Sequence, residues 1–284
     1  MIVIESAAAT QQQALAWRAA GEEVGLVPTM GAIHAGHQSL VSRAKRENQR
    51  VVVSVFVNPK QFGPLEDLAS YPRPFERDRA RLEQLGVDVL FHPQVDQIYP
   101  PSFRTQVDPG PWAERLEGRS RPGHFAGVLT VVLKLFEVTQ PKRAYFGQKD
   151  IQQLLLVRQM VRDFMLPVRV VGCPTVREPD GLAMSSRNAY LTAEQRAAAP
   201  ALHQALTSAS GAYRSGVTDP EELERQVRER LGQVPDLAVD YAQVFSEDTL
   251  ERPQQVRPGD VLAIAVKLGS TRLIDNVVFG ADRL

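Results

Sequence analysis

The stretch VPTMGAIHAGH, residues 27–37, places two of the chain's five histidines, His34 and His37, three positions apart just ahead of a run with helical periodicity. Residues spaced by three at a helix start face the same way. The start of a helix already offers unpaired backbone N–H groups and the positive pole of the helix dipole. Two imidazoles added there make a site for an anion, above all a polyphosphate. Gly31 and Gly36 would let phosphate oxygens approach the backbone closely. The plainer alternative makes His34 a helix cap and His37 an exposed first-turn residue, and the spacing alone does not separate the two. Zinc would need further ligands, and no Cys, Asp or Glu stands nearby in this stretch. Two more polar clusters follow strand-like runs in the same way: residues 58–61 after RVVVSVFV, and residues 147–153 after RAYF. In open parallel sheets, ligands collect beyond the carboxyl ends of the strands, so the three clusters belong on one rim.

The elements that must hold these residues follow from the hydrophobic pattern. VGLVPT (24–29) is a short buried strand, and HQSLVSRAKREN sets Leu40, Val41 and Ala44 at helical spacing. RVVVSVFVN (50–58) is nearly all β-branched, as in a parallel strand covered on both faces. A charged helix at 74–85, a strand at 86–93, a buried helix at 123–139, a strand at 143–147, an amphipathic helix from Asp150 and a strand through Cys173 continue the alternation. Asp150 and Gln153 have the spacing of a capping box. Strands alternating with helices predict an α/β, Rossmann-like, doubly wound parallel sheet. After residue 174 the pattern changes. A turn-rich connection around Pro179-Asp180-Gly181 leads to two helices, beginning at TAEQ with Thr192 as cap and at DPEE with Asp219 as cap and Pro220 first inside. Three strand candidates with short connections then predict an antiparallel meander. The expected organisation is a domain over 1–175 and a smaller α+β C-terminal lid domain over 176–284.

Composition limits the function. Among 284 residues, Lys and Arg balance Asp and Glu for a formal net charge of zero, so no global field draws the protein to nucleic acid or an anionic membrane. A single cysteine, Cys173, precludes an internal disulfide and any zinc site built on several thiolates; its place in VRVVGCP suggests a buried, inert thiol. There is no run of about 18 apolar residues, and the start has no basic segment ahead of its apolar residues. A cytoplasmic protein acting on small molecules, with no nucleic-acid or membrane partner, is expected.

HAGH resembles the HxGH signature of the nucleotidylyltransferase superfamily. The longer segments VPTMGAIHAGHQSL, VSVFVNPKQFGPLEDLASYPR, RPGHFAGVLTVV, YFGQKDIQQL and REPDGLAMSSRNAYL together resemble the pantothenate synthetase family, in its order and spacing, over about residues 1–195. That resemblance implies an ATP-dependent ligase working with Mg²⁺. It would activate pantoate as pantoyl adenylate and pass the acyl group to the amine of β-alanine. It also implies a homodimer.

Carried onto this sequence, the resemblance puts Met30, Gly31, His34 and His37 on the ATP phosphates, with His37 as proton donor. Gly147, Gln148, Lys149 and Asp150 form the second ATP segment, Lys149 toward phosphate and Asp150 toward ribose. Val176 contacts adenine, and Met184, Ser185, Ser186 and Arg187 take the place of the superfamily's mobile KMSKS-like loop, with Arg187 the cation for the β,γ-phosphates. Gln61 and Gln153 hold pantoate, Arg121 and His124 add phosphate or substrate contacts, and Asn58 and Tyr71 stand behind them. The metal ligands are unassigned. Two positions depart from the family's usual pattern: Ala35 replaces a Glu and Lys60 a Thr. Another HxGH-type nucleotidylyltransferase is the alternative, and it would lack NPKQFGPLEDLASYPR and the paired glutamines. A non-catalytic nucleotide-binding module would have no need of intact His34, His37, Lys149 and Arg187.

Overall fold

Six short apolar runs pair in one parallel sheet: β1 (Ile2–Ile4), β2 (Val24–Thr29), β3 (Arg50–Val55), β4 (Val89–Phe91), β5 (Arg143–Gly147) and β6 (Arg169–Cys173). Their order is β1-β4-β3-β2-β5-β6. The structure is a computed structural model that describes residues 1–64 and 66–281. Val51, Val52 and Val53 are buried, as a central parallel strand covered on both faces requires. From β2 the chain winds outward through β3 to β4, then crosses back to lay β5 and β6 on the opposite side of β2. The winding therefore reverses between β2 and β5, where sheets of this kind open a crevice at the carboxyl ends of their strands.

Helices connect the strands: α1 (Ala7–Ala19), α2 (Ala35–Glu47), α3 (Phe75–Gln84), the short α4 (Val95–Ile98) and α5 (Leu116–Ser120), α6 (His124–Thr139) and α7 (Ile151–Asp163). Two expected strands are shorter than their apolar runs. β3 stops at Val55 because Pro59, which has no N–H for a ladder, starts a 3-10 turn over Pro59–Gln61 capped by the Asn58 side chain. β4 keeps only the three residues that pair with β1 and β3. The capping box expected of Asp150 and Gln153 gives way to a 3-10 turn, Gln148–Asp150, that runs into α7. An N-cap residue needs extended backbone, and Asp150 is already coiled. Cys173 is buried beside Arg43, and burial pushes its thiol pKa up.

By its internal contacts the chain divides into two units. The first comprises Met1–Glu114, Arg121–Gln148 and Gln152–Pro174; the second comprises Arg115–Ser120, Lys149–Ile151 and Thr175–Leu284. In the second unit β7 (Leu237–Phe245), β8 (Val261–Leu268) and β9 (Thr271–Val278) form the antiparallel meander expected from sequence. Its core joins Leu202, Leu206, Leu223, Val227, Ile264 and Phe279. Three helices stand where two were expected. Thr192 and Gln195 close a capping box on α8 (Ala193–Ala198), and Pro200 separates it from α9 (Ala201–Arg214). Proline cannot donate the hydrogen bond that would continue the first helix. α10 (Pro220–Leu231) has Asp219 as cap and Pro220 at its first position, as expected. Among the described residues no helix is long and apolar enough to cross a membrane.

One glycine decides how close α6 lies to the turn after β3. A Cβ on Gly127 would come within 2.1 Å of the Lys60 carbonyl oxygen and 2.8 Å of the Gln61 nitrogen. Both neighbours are backbone, so neither can swing away. Gly127→Ala should therefore destabilise the protein by about 2 kcal/mol or more, as overpacking does, and a melting midpoint equal to the parent's would show that α6 can back off freely.

Candidate active site

The turn after β2 is held on three sides. Thr29 Oγ1 donates to the Ser54 carbonyl at 2.8 Å and accepts the Gly31 N–H at 3.1 Å. Gly31 (φ +86°) and Ala32 (φ +51°) both lie in the left-handed region. The Asp78 carboxylate, on α3, accepts the Ala32 N–H at 2.7 Å and the Ile33 N–H at 2.8 Å, while Arg81 donates to the Ile33 carbonyl. Asp78 is 1% exposed. Burial raises its pKa above the ordinary range, against the pull of the two N–H groups and of the Arg77 and Arg81 charges. Asp78 is absent from the residues expected from sequence. Its signal is there in hindsight: it shares the α3 face of Phe75 and Leu82, an acid on an apolar stripe.

That turn delivers the histidines. His34 is the N-cap of α2, its Nδ1 accepting the Gly36 N–H at 3.1 Å, and His37 Nδ1 accepts the His34 N–H at 3.4 Å, a reciprocal capping box. The rings lie 4.1 Å apart, tilted by 32°. The cap expected as an alternative to a functional role is thus present, and it carries a chemical consequence. A nitrogen that accepts a hydrogen bond cannot bear a proton, so each neutral ring carries its hydrogen on Nε2. Capping therefore fixes which nitrogen of each ring is the donor. Gly36 also has a packing role. A Cβ there would strike the His34 ring at 2.8 Å, so the missing side chain makes room for the imidazole. Ala35 is exposed.

The turn after β3 forms a second rigid group. Asn58 Nδ2 donates to Gln61 Oε1 at 3.0 Å and to the Gly127 carbonyl at 3.1 Å, and Asn58 Oδ1 accepts the Tyr99 hydroxyl at 2.8 Å. Gln61 Nε2 reaches Met30 Sδ at 3.1 Å. A thioether is a weak acceptor, so the amide donors of Gln61 keep capacity for an oxygen ligand. Arg121 and His124, expected as phosphate or substrate contacts, turn onto this group's backbone. His124 Nδ1 donates to the Gln61 carbonyl at 2.7 Å, and Arg121 donates to it at 3.3 Å while pairing with both oxygens of Glu66 at 2.8 and 2.6 Å. Tyr71 is buried edge-on to Phe62, and Lys60 lies over the Tyr99 and Phe103 rings, each centroid 5.3 Å away. Tyr99, Glu66 and Gly127 are likewise absent from the residues expected from sequence.

At the end of β5 a Cβ on Gly147 would meet nothing within 4 Å, so no packing demand accounts for that glycine. Gln148 follows in the 3-10 turn, and Gln153 is half-buried in the first turn of α7. Met30, Gln61 and Gly147 thus lie at the ends of three neighbouring strands, β2, β3 and β5.

The second unit holds the remaining expected residues. Lys149 is half-buried and Asp150 exposed. Residues 176–184 fold back as a hairpin, in which Met184 donates to the Val176 carbonyl at 3.0 Å and Gly181 (φ +93°) turns the chain. Ser185 caps a 3-10 turn over Ser186–Tyr190, its Oγ accepting the Arg187 N–H at 3.3 Å.

The likeness to known proteins extends over nearly the whole chain. The family model described as Pantoate-beta-alanine ligase matches residues 2–278. A pantothenate synthetase of Herpetosiphon aurantiacus is 52% identical over 270 residues, covering 95% of this chain and 98% of that protein. The crystal structure of pantothenate synthetase from Thermus thermophilus superposes with a TM-score of 0.92 at 49% identity, covering 98% of this chain and 99% of that one. Pantoate-beta-alanine ligase from Francisella tularensis, solved in complex with beta-gamma ATP and beta-alanine, superposes with a TM-score of 0.78 at 36% identity, covering 98% and 97%.

The Glu66–Arg121 pair makes the second group sensitive to acid. Burial pushes the Glu66 carboxyl up, but the Arg121 hydrogen bonds and charge, with a smaller pull from His124, bring it below the ordinary 4.5. A lowered carboxyl contributes stability above its unfolded pKa and loses it as pH falls through the folded one. Glu66→Gln should cost roughly 0.5–1 kcal/mol at neutral pH, the range of a solvent-screened pair. Its deficit should shrink in urea titrations run progressively below pH 4.5; a deficit that is constant with pH would exclude the ion pair as its cause.

Proposed function

Since this chain belongs to the pantoate-beta-alanine ligase family, we propose that it condenses pantoate with β-alanine, using ATP, to give pantothenate, AMP and pyrophosphate. A carboxylate oxygen of pantoate attacks the α-phosphorus, and the bond from that phosphorus to pyrophosphate breaks. The β-alanine nitrogen then attacks the activated carbonyl, the bond to AMP breaks, and the amine gives up a proton. Adenylation is the reason the second step can occur: a free carboxylate would have to expel oxide, whereas the adenylate expels AMP.

The observation that carries this assignment is the pair of Nε2–H donors that capping fixes on His34 and His37. Both rings stand at the positive end of α2, where charge building on a departing pyrophosphate is stabilised by preorganised donors. In this proposal His37 donates to the phosphates as that charge grows, with His34 beside it, and Met30 and Gly31 line the approach. The open space beside Gly147 supports a role for the Gly147 and Gln148 backbone in contacting the nucleotide. Lys149 supplies a cation for phosphate, Asp150 an acceptor for ribose hydroxyls and Val176 a contact to adenine, while Met184, Ser185, Ser186 and Arg187 form the KMSKS-like loop, with Arg187 the cation for the β,γ-phosphates. Gln61, with donor capacity remaining, and Gln153 hold pantoate as neutral amides that bind hydroxyls without repelling its carboxylate. Asn58, Tyr71, Arg121 and His124 act behind Gln61 by fixing its turn.

Mg²⁺ enters as part of the substrate, MgATP. Among the described residues no group of three or more His, Cys, Asp or Glu could hold a metal ion, and a hard cation carried by phosphate oxygens needs no such cage. A cytoplasmic homodimer completes the proposal, on the strength of the family resemblance.

Activation before amine attack fixes the order of steps. ATP–pyrophosphate exchange should require pantoate and proceed without β-alanine; exchange that waits for β-alanine would sink the adenylate scheme and favour a different nucleotidyl transfer. His37→Ala should lower kcat by roughly 10²–10⁴, the usual worth of a positioned donor, with a nearly unchanged melting curve. If the variant instead melts much earlier and the folded fraction turns over normally, His37 is only a cap.

A further inference from the structure

A meander strand with a buried Asp-Asn pair in its middle needs explaining. On β9, Leu273 and Val277 belong to the apolar core of the second unit, and Asp275 lies between them at 2% exposure. Asn276, the next residue, is 3% exposed. Neighbouring strand residues point to opposite faces of a sheet, so the pair reaches in two directions. Asp275 takes Arg177 in a two-pronged ion pair, Oδ2 to Nη1 at 2.6 Å and Oδ1 to Nη2 at 3.1 Å. Arg177 also donates to the Gly181 carbonyl at 3.2 Å, which closes the hairpin between Val176 and Met184. Asn276 Nδ2 donates to the backbone carbonyl of Lys149 at 2.9 Å. Asp275 Oδ1 accepts the Asn276 N–H at 2.8 Å, which couples the two arms.

We propose that Asp275 and Asn276 are positioning residues for the nucleotide. One dipeptide sets the backbone of both segments assigned to ATP in the second unit, Lys149 through Asn276 and the 176–184 hairpin through Asp275 and Arg177. The contact grouping agrees, since Lys149–Ile151 belongs with the second unit although the residues on either side do not. Stability alone is a poor reason for this arrangement, because a buried ion pair does little that well-packed apolar residues would not do. What the ion pair and the amide add is direction: each bond fixes where a particular backbone segment lies.

The inference rests on the assignment of Lys149 and residues 176–187 to the nucleotide, and the test separates the two. Arg177→Lys breaks the two-pronged pair but keeps the charge. Asn276→Asp removes the donor facing Lys149 at constant size, and Asn276→Ala removes it without adding a buried charge. Each should raise the KM for ATP about tenfold, the scale of one well-placed hydrogen bond. The KM values for pantoate and β-alanine should stay within about twofold of the parent's, with the assay run below each variant's melting transition. Lys149→Ala and Arg187→Ala report on the underlying assignment. If those two raise the ATP KM while the bracket variants only melt earlier, the positioning role is wrong and the assignment stands. If Lys149→Ala and Arg187→Ala also leave the ATP KM unchanged, the assignment fails and takes the bracket with it.

Discussion

The geometry at the mouth of α2 depends on one buried carboxylate. Asp78 accepts two successive backbone N–H groups from residues 32 and 33. The first of these residues, Ala32, sits at φ +51°, which costs an L-residue about 1–2 kcal/mol. Two hydrogen bonds to a charged acceptor, at roughly 1.5–3 kcal/mol each, exceed that strain. They must also offset the burial that pushes the Asp78 pKa up. The turn is therefore held by a balance between desolvation and directed bonding. Its result is a fixed entry angle for α2, and with it the placement of His34 as cap and His37 one turn on.

Capping and chemistry are often set against each other as explanations of a polar residue at a helix start. Here one produces the other. If His34 made no cap, its ring could carry the proton on either nitrogen and could rotate. Because Nδ1 of each histidine is occupied by a backbone N–H, the remaining nitrogen is a donor of known direction. Gly36 belongs to the same device, since a Cβ there would come within 2.8 Å of the His34 ring as it lies against the first turn. The spacing of the HAGH segment is thus explained by ring packing and cap geometry before any ligand is considered.

The parallel sheet, the meander and the caps at Thr192 and Asp219 were legible in the sequence because each depends on local pattern: β-branched runs, helical periodicity, and short polar residues ahead of apolar ones. The position of Met30, Gln61 and Gly147 beyond neighbouring strands is legible for the same reason, since each follows a strand-like run. What escaped the sequence depends on contacts between distant segments. Gly127 looks like an unremarked residue inside a buried helix until the backbone of Lys60 and Gln61 is set against it. Asp78 looks like one of many charges on a polar helix until the turn after β2 is packed over it. Arg121 and His124 carry chemistry-bearing side chains, yet their bonds run to the Gln61 carbonyl and Glu66, which no spacing rule reveals. The break at Pro200 is a local signal of another kind, a proline that cannot continue the helix begun at Thr192.

These long-range contacts share a form: a buried polar side chain grips the backbone of a segment that bears a candidate site residue. Asp78 grips residues 32 and 33 ahead of the histidines, His124 grips the carbonyl of Gln61, and Asn276 grips the carbonyl of Lys149. Backbone is the sensible target. A side chain held only by its own tip can be positioned in one rotamer, but its Cα remains free to drift, and donors that stabilise developing charge lose their advantage when they must reorganise. Fixing the backbone sets where the imidazoles and the Gln61 amide stand without drawing on the donors proposed to face a ligand. In each case a buried polar side chain holds backbone, and the side chain that the segment carries is placed through it.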